Sequence, residues 1–435
     1  MMTATRIHSE KKSIVILGAG FGGLRTAILL AKALRRARLT NRYALYLIDR
    51  NSYHTYTPTL YEVATTSKET ANYIQLRDIV TFDVASLVSG FPEINFIHDA
   101  ITALDLPNGD IHCGGHEMKF DYLVLAMGSE TNYFDIPGLH EHSLPLKSFM
   151  DAIVLRDRVL ARYAEGGTLR IVIGGGGSTG VELAGELQGW FTELRAKIHL
   201  ACAPTVTIIE GAPTILTGYA SGIIAKAAAR LSHLGVTVIT SERITGVTSA
   251  EVTLQSGHTA PYDILIWTGG VRAAALMGSL PLKRESKGRV EVAGEMQCFP
   301  QTGDLKLYET IYGIGDAVCF FDPVTKKPVP LVARAALIQA DIVASNIMRQ
   351  ILIAEKRRHS VALLRYHPVE YPYIIPVGGK YAIAKIGPFI FSGFLAWILK
   401  GLIELSYLSS ILPPGRTVIT WLKGLRIFLR NDRLG

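Results

Sequence analysis

Cysteine is scarce in this chain. Four occur in 435 residues, at Cys113, Cys202, Cys298 and Cys319, and none forms a C-x-x-C pair. Their spacing excludes a disulfide framework, a zinc site and a thioredoxin-like dithiol, and no metal is expected. A long uninterrupted apolar run is missing too. A membrane-spanning helix needs about 20 predominantly apolar residues, and the charge-free stretch 386–399 ends at Lys400. The opening residues "MMTATRIHSEKK" lack the apolar core of a secretory signal, so a cytoplasmic start is expected. Basic residues are in excess, with a net charge of +8. They form no single tract interleaved with aromatics, which argues against nucleic acid and leaves an anionic membrane surface as the partner for that excess.

Glycine, by contrast, is abundant, with 41 residues, many in short clusters. The clusters mark a repeat. "SIVIL" (13–17) reads as a fully buried parallel strand. It is followed by "GAGFGG", the helical run "LRTAILLAKALRRA", and a second strand, "YALYLID", ending at Asp49. The order recurs as strand "LRIVI", turn "GGGGSTG", helix "VELAGELQGWFTELRAK" and strand "TVTIIE", ending at Glu210. After each unit come strand segments with hairpin turns at "PNGD" and "QSGH". A buried strand led by an aromatic and Asp closes each copy, "FDYLVLAMGS" in the first and "YDILIWTGG" in the second. One nucleotide-binding α/β domain has been duplicated, with a β-meander added to each copy.

A lone G-x-G-x-x-G is weak evidence, but here each copy follows a buried strand, opens a helix and precedes an acid at a strand end. Gly18 makes the tight turn, Gly20 lets a pyrophosphate approach the backbone, and Gly23 allows close packing of helix on strand. Gly175, Gly177 and Gly180 take these roles in the second copy. The helix N-termini then present N–H groups and a positive dipole end to phosphate. Asp49 and Glu210 are placed to accept hydrogen bonds from ribose hydroxyls. A carboxylate there disfavours a 2′-phosphate, and no Arg follows Glu210 in "EGAPTIL", so NADH is expected over NADPH. Two such sites imply two cofactors, FAD in the first and a nicotinamide nucleotide in the second, with hydride passing between them.

Four further stretches carry a resemblance: "DRNSYHTYTPTLYEVAT" (49–65), "GGGGSTGVELAGEL" (174–187), "IYGIGDAV" (311–318) and "ARAALIQADIVASNI" (333–347). With them the chain, from residue 13 through its tail, resembles the type II NADH dehydrogenases, single-subunit flavoprotein NADH:quinone oxidoreductases that do not pump protons. The resemblance implies that Pro58 and Leu60 lie near the isoalloxazine ring and that Asp316 faces the ribityl or pyrophosphate part of FAD. Ala126 and Gly128 would back the FAD nucleotide, and Gly269 and Gly270 the second nucleotide. Glu182 would approach the nicotinamide, and Gln339 would sit where flavin and quinone headgroup meet. Thr59 and Arg334 depart from the family pattern and bear on acceptor choice. Read without the resemblance, Glu182 is a helix first-turn acid stabilised by the dipole, with Glu186 one turn on along the same face, and Gln339 is an ordinary helical polar residue. His54 reads as a structural histidine. Disulfide reductases and sulfide:quinone reductases of this superfamily need cysteines near the flavin, and residues 57–63 offer none.

The tail, "FSGFLAWILKGLIELSYLSSIL" (391–412), carries Lys400 and Glu404 on one helix face. "RTVITWLKGLRIFLRNDR" follows, with Arg416, Lys423, Arg426 and Arg430 on one side and Val418, Ile419, Trp421, Leu422, Leu425 and Phe428 forming an apolar face. Trp and basic residues on an amphipathic helix suit an interfacial position; a helical hairpin packed on the body or in a dimer remains the alternative. The sequence therefore predicts an α/β protein of two Rossmann-like dinucleotide-binding domains with β-meanders, plus a C-terminal amphipathic membrane-anchoring region. The expected boundaries are 1–147 and 273–365 for the two parts of the FAD domain, 148–272 for the NADH domain and 366–435 for the anchor. The expected partners are NADH, a membrane quinone and the bilayer surface, with the chain a homodimer on the cytoplasmic face of the cell membrane. A soluble FAD-dependent NAD(P)H reductase of a ferredoxin-type carrier is the alternative.

Overall fold

A computed structural model describes residues 5–6, 10–197, 202–303, 307–370 and 372–430. Most of the opening stretch read for a leader lies outside the described residues. The chain divides into two compact units, each assembled from three segments. The first holds Met1–His54, Phe82–Glu130 and Val271–Val369; the second holds Thr55–Thr81, Thr131–Gly270 and Glu370–Gly435. The segment Thr55–Thr81, read as part of the first domain, thus belongs to the second unit.

The first unit is built on a five-stranded sheet in the order Ile311–Gly313, Tyr122–Leu125, Lys12–Leu17, Tyr43–Asp49, Ile94–His98. All four pairings are parallel. Strands of a parallel sheet are covered on both faces and so read as continuous apolar runs; Ile14 through Leu17 are wholly buried. Helix Phe21–Ala37 follows the first strand and packs on the long helix Ala333–Ala354. A forked pair fixes that contact, with Arg25 donating from Nε to Asp341 Oδ1 at 2.6 Å and from Nη2 to Oδ2 at 3.0 Å. The expected meander is present as the antiparallel strands Ile101–Asp105, Asp110–Cys113 and His116–Lys119.

The second unit repeats the plan. Its five-stranded sheet runs Ser143–Pro145, Ile264–Trp267, Gly167–Gly174, Cys202–Ile209, Thr237–Ile239, again all parallel. Helix Ser178–Lys197 follows the central strand, and an antiparallel meander spans Ile244–Val247, Glu251–Leu254 and Thr259–Pro261. Trp190, Phe191 and Tyr163 fill its core, and Trp190 Nε1 donates to Ser67 Oγ at 2.8 Å. A second antiparallel sheet, Tyr373–Pro376, Ala382–Ile386 and Phe389–Gly393, leads into the tail helices Phe394–Ile411 and Pro414–Arg430.

The apolar stretch 386–399 is therefore not one helix. Its first part pairs as an edge strand, and Gly393, at φ +108°, turns the chain into the helix. The apolar face expected on the last helix also divides. Phe428 is buried and Trp421 turns inward, its Nε1 donating to Gly401 O at 2.8 Å, while Val418, Ile419 and Leu422 stay exposed.

Candidate functional site

The two glycine turns are stereochemical copies. Gly18 and Gly175 have φ of +106° and +110°, a region only glycine enters cheaply. A Cβ on Gly23 would lie 1.8 Å from Gly18 O, and one on Gly180 would lie 2.0 Å from Gly175 O. These glycines let each helix seat against its own strand. Gly20 and Gly177 differ: a Cβ there would meet nothing within 4 Å. Each faces open space at a helix start with no acidic residue in its first turn, so Glu182 stands beyond the first turn rather than in it, and Gly20 has no side-chain cap.

The acids repeat as well. Asp49 accepts from Ala19 N through Oδ2 at 2.6 Å and from Asn51 N through Oδ1 at 2.7 Å. Glu210 accepts from Gly176 N through Oε2 at 2.6 Å and from Ala212 N through Oε1 at 2.7 Å. Each carboxylate thus ties the second residue of its glycine turn to the backbone just beyond its own strand. The sequence assigned these acids to ribose; the structure adds that they hold the turns in place. Open space before Gly20, donor groups at the helix start and a carboxylate beside the turn suit the pyrophosphate and ribose of a dinucleotide.

Around the first turn, Ala126 is buried and its carbonyl oxygen abuts the Gly18 backbone, 2.3 Å from where a Cβ would stand. Gly128, at φ +70°, faces open space. Asp316 accepts from Ser129 Oγ at 2.8 Å. Gln339 is buried, and its Oε1 accepts from Gly315 N at 2.8 Å. It is therefore no ordinary surface residue of its helix, for it fixes the turn that carries Asp316. Gly315, Asp316, Val332, Ala335, Ala336 and Gln339 line a cleft at the start of helix Ala333–Ala354, which has no side-chain cap and no acid in its first turn. Arg334 is exposed there. His54 is buried and hydrogen-bonded through Nδ1 to Ala19 O at 3.0 Å, and burial lowers its pKa to about 4.

Pro58 lies in the short 3₁₀ turn Thr57–Thr59 of the second unit, and Leu60, buried, opens helix Leu60–Ala64. Gly270 packs against the Phe134 ring, 2.8 Å from the position of a Cβ. The first unit therefore gathers Gly18, Gly20, Gly23, Asp49, Ala126, Gly128, Asp316 and Gln339. The second gathers Pro58, Leu60, Gly175, Gly177, Gly180, Glu182, Glu210 and Gly270.

The feature that sequence reasoning missed is a charge cluster in the second unit, built on the buried Glu62 with Glu182, Lys400 and Glu404 half-buried around it. Lys400 does not lie in the water-facing break of an apolar helix. Its Nζ donates to Glu62 Oε2 at 2.6 Å and sits over the Tyr61 ring, 5.1 Å from the centroid. The side chains are 16% and 8% exposed. Burial raises the pKa of Glu182 to about 8, opposed by Lys400 and reinforced by Glu62 and Glu186. Burial likewise raises Glu404 to about 7, again opposed by Lys400. Burial alone would lower the pKa of Lys400, but Glu62 and Glu404 outweigh it and keep the ammonium charged. Tyr56 and Tyr407 stack beside the cluster with centroids 5.3 Å apart. The only hint in the sequence was "LYEVA", an acid inside an apolar segment.

Two parallel-sheet units, each closing a glycine turn onto a carboxylate, define an oxidoreductase-type fold built for two dinucleotides. A model of the pyridine nucleotide-disulphide oxidoreductase family matches residues 12–340, and the chain belongs to that family. The chain is 28% identical to the type II NADH:quinone oxidoreductase Ndh of Mycobacterium tuberculosis, covering 95% of this chain and 88% of that protein. It is 27% identical to the type II NADH:quinone oxidoreductase of Staphylococcus aureus, covering 78% and 83%. In fold it is similar to NDH2 of Plasmodium falciparum solved with NADH (TM-score 0.78, 17% identity, 97% and 98% covered). It is also similar to the sulfide:quinone oxidoreductase of Aquifex aeolicus (TM-score 0.73, 19% identity, 92% and 91% covered).

Proposed function

We infer that this chain is an FAD-dependent NADH:quinone oxidoreductase working at a membrane surface. When bound, FAD supplies the hydride acceptor for NADH and the two-electron donor for quinone. Gly18, Gly20, Gly23, Asp49, Ala126, Gly128 and Asp316 would hold it, with Pro58 and Leu60 toward its ring. Gly175, Gly177, Gly180, Glu210 and Gly270 would hold NADH. Gln339 fixes the Gly315–Asp316 turn. The uncapped start of helix Ala333–Ala354 is suited to negative charge, so no side-chain nucleophile is needed.

The observation that carries the quinone reading is the cluster of Glu62, Glu182, Lys400 and Glu404. A quinone takes two protons with its two electrons; a ferredoxin-type acceptor takes none. Carboxyls held protonated to about pH 7 and pH 8 beside a fixed ammonium can donate protons at neutral pH, the range in which general acids work best. Glu182 and Gln339 are the proposed catalytic residues, Glu182 as proton donor.

Membrane attachment is supported by the tail. Leu395, Leu402, Ile403, Val418, Ile419 and Leu422 are exposed, and Arg416, Lys423, Arg426 and Arg430 stand in solvent on the last helix. Helix Phe394–Ile411 is long and apolar enough to cross a bilayer, but its charged residues are spent on the inner cluster and a surface-lying position uses both helices. Exposed basic residues favour an anionic leaflet, which supports attachment at the cytoplasmic face. A homodimer sharing this face completes the proposal, and light scattering in detergent tests it. The decisive experiment is anaerobic NADH reduction of the yellow protein followed by quinone vesicles. Bleaching and then recovery is expected. Bleaching that only a ferredoxin-type carrier reverses would overturn the quinone reading.

A further inference from the structure

The second dinucleotide site carries a cation that its local sequence hides. Residues 241–243 run beside 210–212: Glu242 N donates to Glu210 O at 3.1 Å, and Ser241 N donates to Ala212 O at 2.9 Å. Arg243 is pinned further along by Gln255 N, which donates to its carbonyl oxygen at 2.8 Å. Its side chain crosses Gly211. A Cβ on Gly211 would stand 2.9 Å from Arg243 Cγ and 3.5 Å from Nε, so the glycine makes room for the arginine stem. Arg243 is exposed and forms no ion pair among the described residues. Its neighbour Glu242 accepts from Ser256 N at 3.3 Å.

Glu210 itself sits in a small anion cradle. The N–H groups of Gly176 and Ala212, at 2.6 and 2.7 Å, point at its two carboxylate oxygens, and Arg243 flanks the residue between Glu210 and Ala212. Backbone N–H groups with a nearby guanidinium are the donors a phosphate takes.

We propose that coenzyme choice in this protein rests on Glu210 occupying a latent 2′-phosphate site, of which Arg243 is the side-chain cation. With the carboxylate in place, repulsion excludes NADPH. With it removed, the cradle and Arg243 receive the phosphate without any added basic residue. Arg243 is thus a specificity-determining residue rather than a solvated surface charge. The inference rests on the reading of this turn as the NADH site.

The test compares wild type, Glu210→Ser, Arg243→Ala and the double variant, each as purified flavoprotein. Steady-state kcat/KM is measured with NADH and NADPH, and thermal stabilisation by 5′-AMP and by 2′,5′-ADP gives a readout independent of turnover. Wild type is expected to be stabilised by 5′-AMP and little by 2′,5′-ADP. Glu210→Ser should gain at least tenfold in kcat/KM for NADPH and be stabilised by 2′,5′-ADP. Adding Arg243→Ala should remove most of both gains, while Arg243→Ala alone leaves NADH turnover within about threefold of wild type. A double variant that keeps the NADPH gain overturns the role of Arg243. A folded, NADH-active Glu210→Ser that gains neither NADPH turnover nor 2′,5′-ADP binding overturns the latent site. Wild type unresponsive to both nucleotides and to NADH overturns the reading of the turn itself.

Discussion

Replacing Lys400 with Met removes the one cation of the charge cluster at nearly constant volume. Its Nζ lies 2.6 Å from Glu62 Oε2, and both side chains are largely withdrawn from water. Breaking a buried pair by deleting one partner costs about 3–5 kcal/mol, because the remaining charge stays uncompensated. A cooperative unit of roughly 150–250 residues shifts about 2–4 °C in Tm per kcal/mol. A fall of about 6–20 °C is therefore expected at pH 8.5, read by circular dichroism in detergent. The sign of the pH dependence follows from the raised carboxyls. Glu404 and Glu182 bind protons more tightly in the folded chain than in the unfolded one, up to about pH 7 and 8. Their ionisation destabilises the fold as pH climbs from the ordinary carboxylate range through those values. Without Lys400 that penalty grows, so Lys400→Met should lose distinctly more at pH 8.5 than at pH 6. Adding Glu62→Gln should return most of the loss; what stays lost is the cation–π contact of Lys400 over Tyr61, about 0.5–2 kcal/mol. Equal losses at the two pH values, or a double variant as unstable as the two singles summed, would refute the account.

Glu182→Gln cannot release a proton. Wild-type quinone reduction should decline above about pH 8, whereas the variant should be slower and flat across that range, with NADH bleaching retained in stopped flow. Gly20→Ala and Gly23→Ala separate fold from cofactor. The first meets no protein atom within 4 Å and should yield folded but colourless protein, while the second drives a Cβ to 1.8 Å from Gly18 O and should yield little folded protein; expression, absorbance at the flavin band and circular dichroism decide. Leu395→Glu with Ile419→Glu places charge on exposed apolar positions. Vesicle flotation should be lost while NADH bleaching persists; flotation that survives would count against attachment through this face.

What could be read from the sequence was local. Strand Tyr43–Asp49 and helix Phe21–Ala37 announce themselves through unbroken apolar runs and glycine spacing, and an acid closes the strand that follows each turn, 30 residues after Ala19 in the first copy and 34 after Gly176 in the second. The repeat was legible because both copies keep that order of strand, turn, helix, strand and acid. What was hidden depends on chain segments meeting from far apart. Lys400 and Glu62 stand 338 residues apart, and nothing in "AWILKGLIEL" says that its charges point inward rather than to water. Arg243 was hidden for the same reason: "EGAPTIL" holds no cation, and only the fold brings Arg243 from the segment after Thr237–Ile239 across Gly211. The tail misled in another way. Stretch 386–399 has one composition, but Gly393 divides it into sheet edge and helix, and composition does not register a change of backbone at a single residue.

The cluster's physical cost bears on why it exists. Replacing a buried ion pair with apolar side chains is often neutral or stabilising, and the surroundings of Glu62, Lys400 and Glu404 are aromatic and aliphatic enough to have accepted that exchange. Tyr56, Tyr61 and Tyr407 already supply the packing. Stability alone therefore gives no reason to keep one ammonium among several carboxyls, two of which burial pushes up to about 7 and 8. Perturbed groups gathered in one place are the mark of a site. Here the segments that bring them together are the short helix Leu60–Ala64, the helix that follows the second glycine turn, and the tail helix with its exposed apolar side. Such a gathering of protonated carboxyls fits the quinone acceptor proposed above, because a quinone takes up protons with its electrons and a ferredoxin-type acceptor does not.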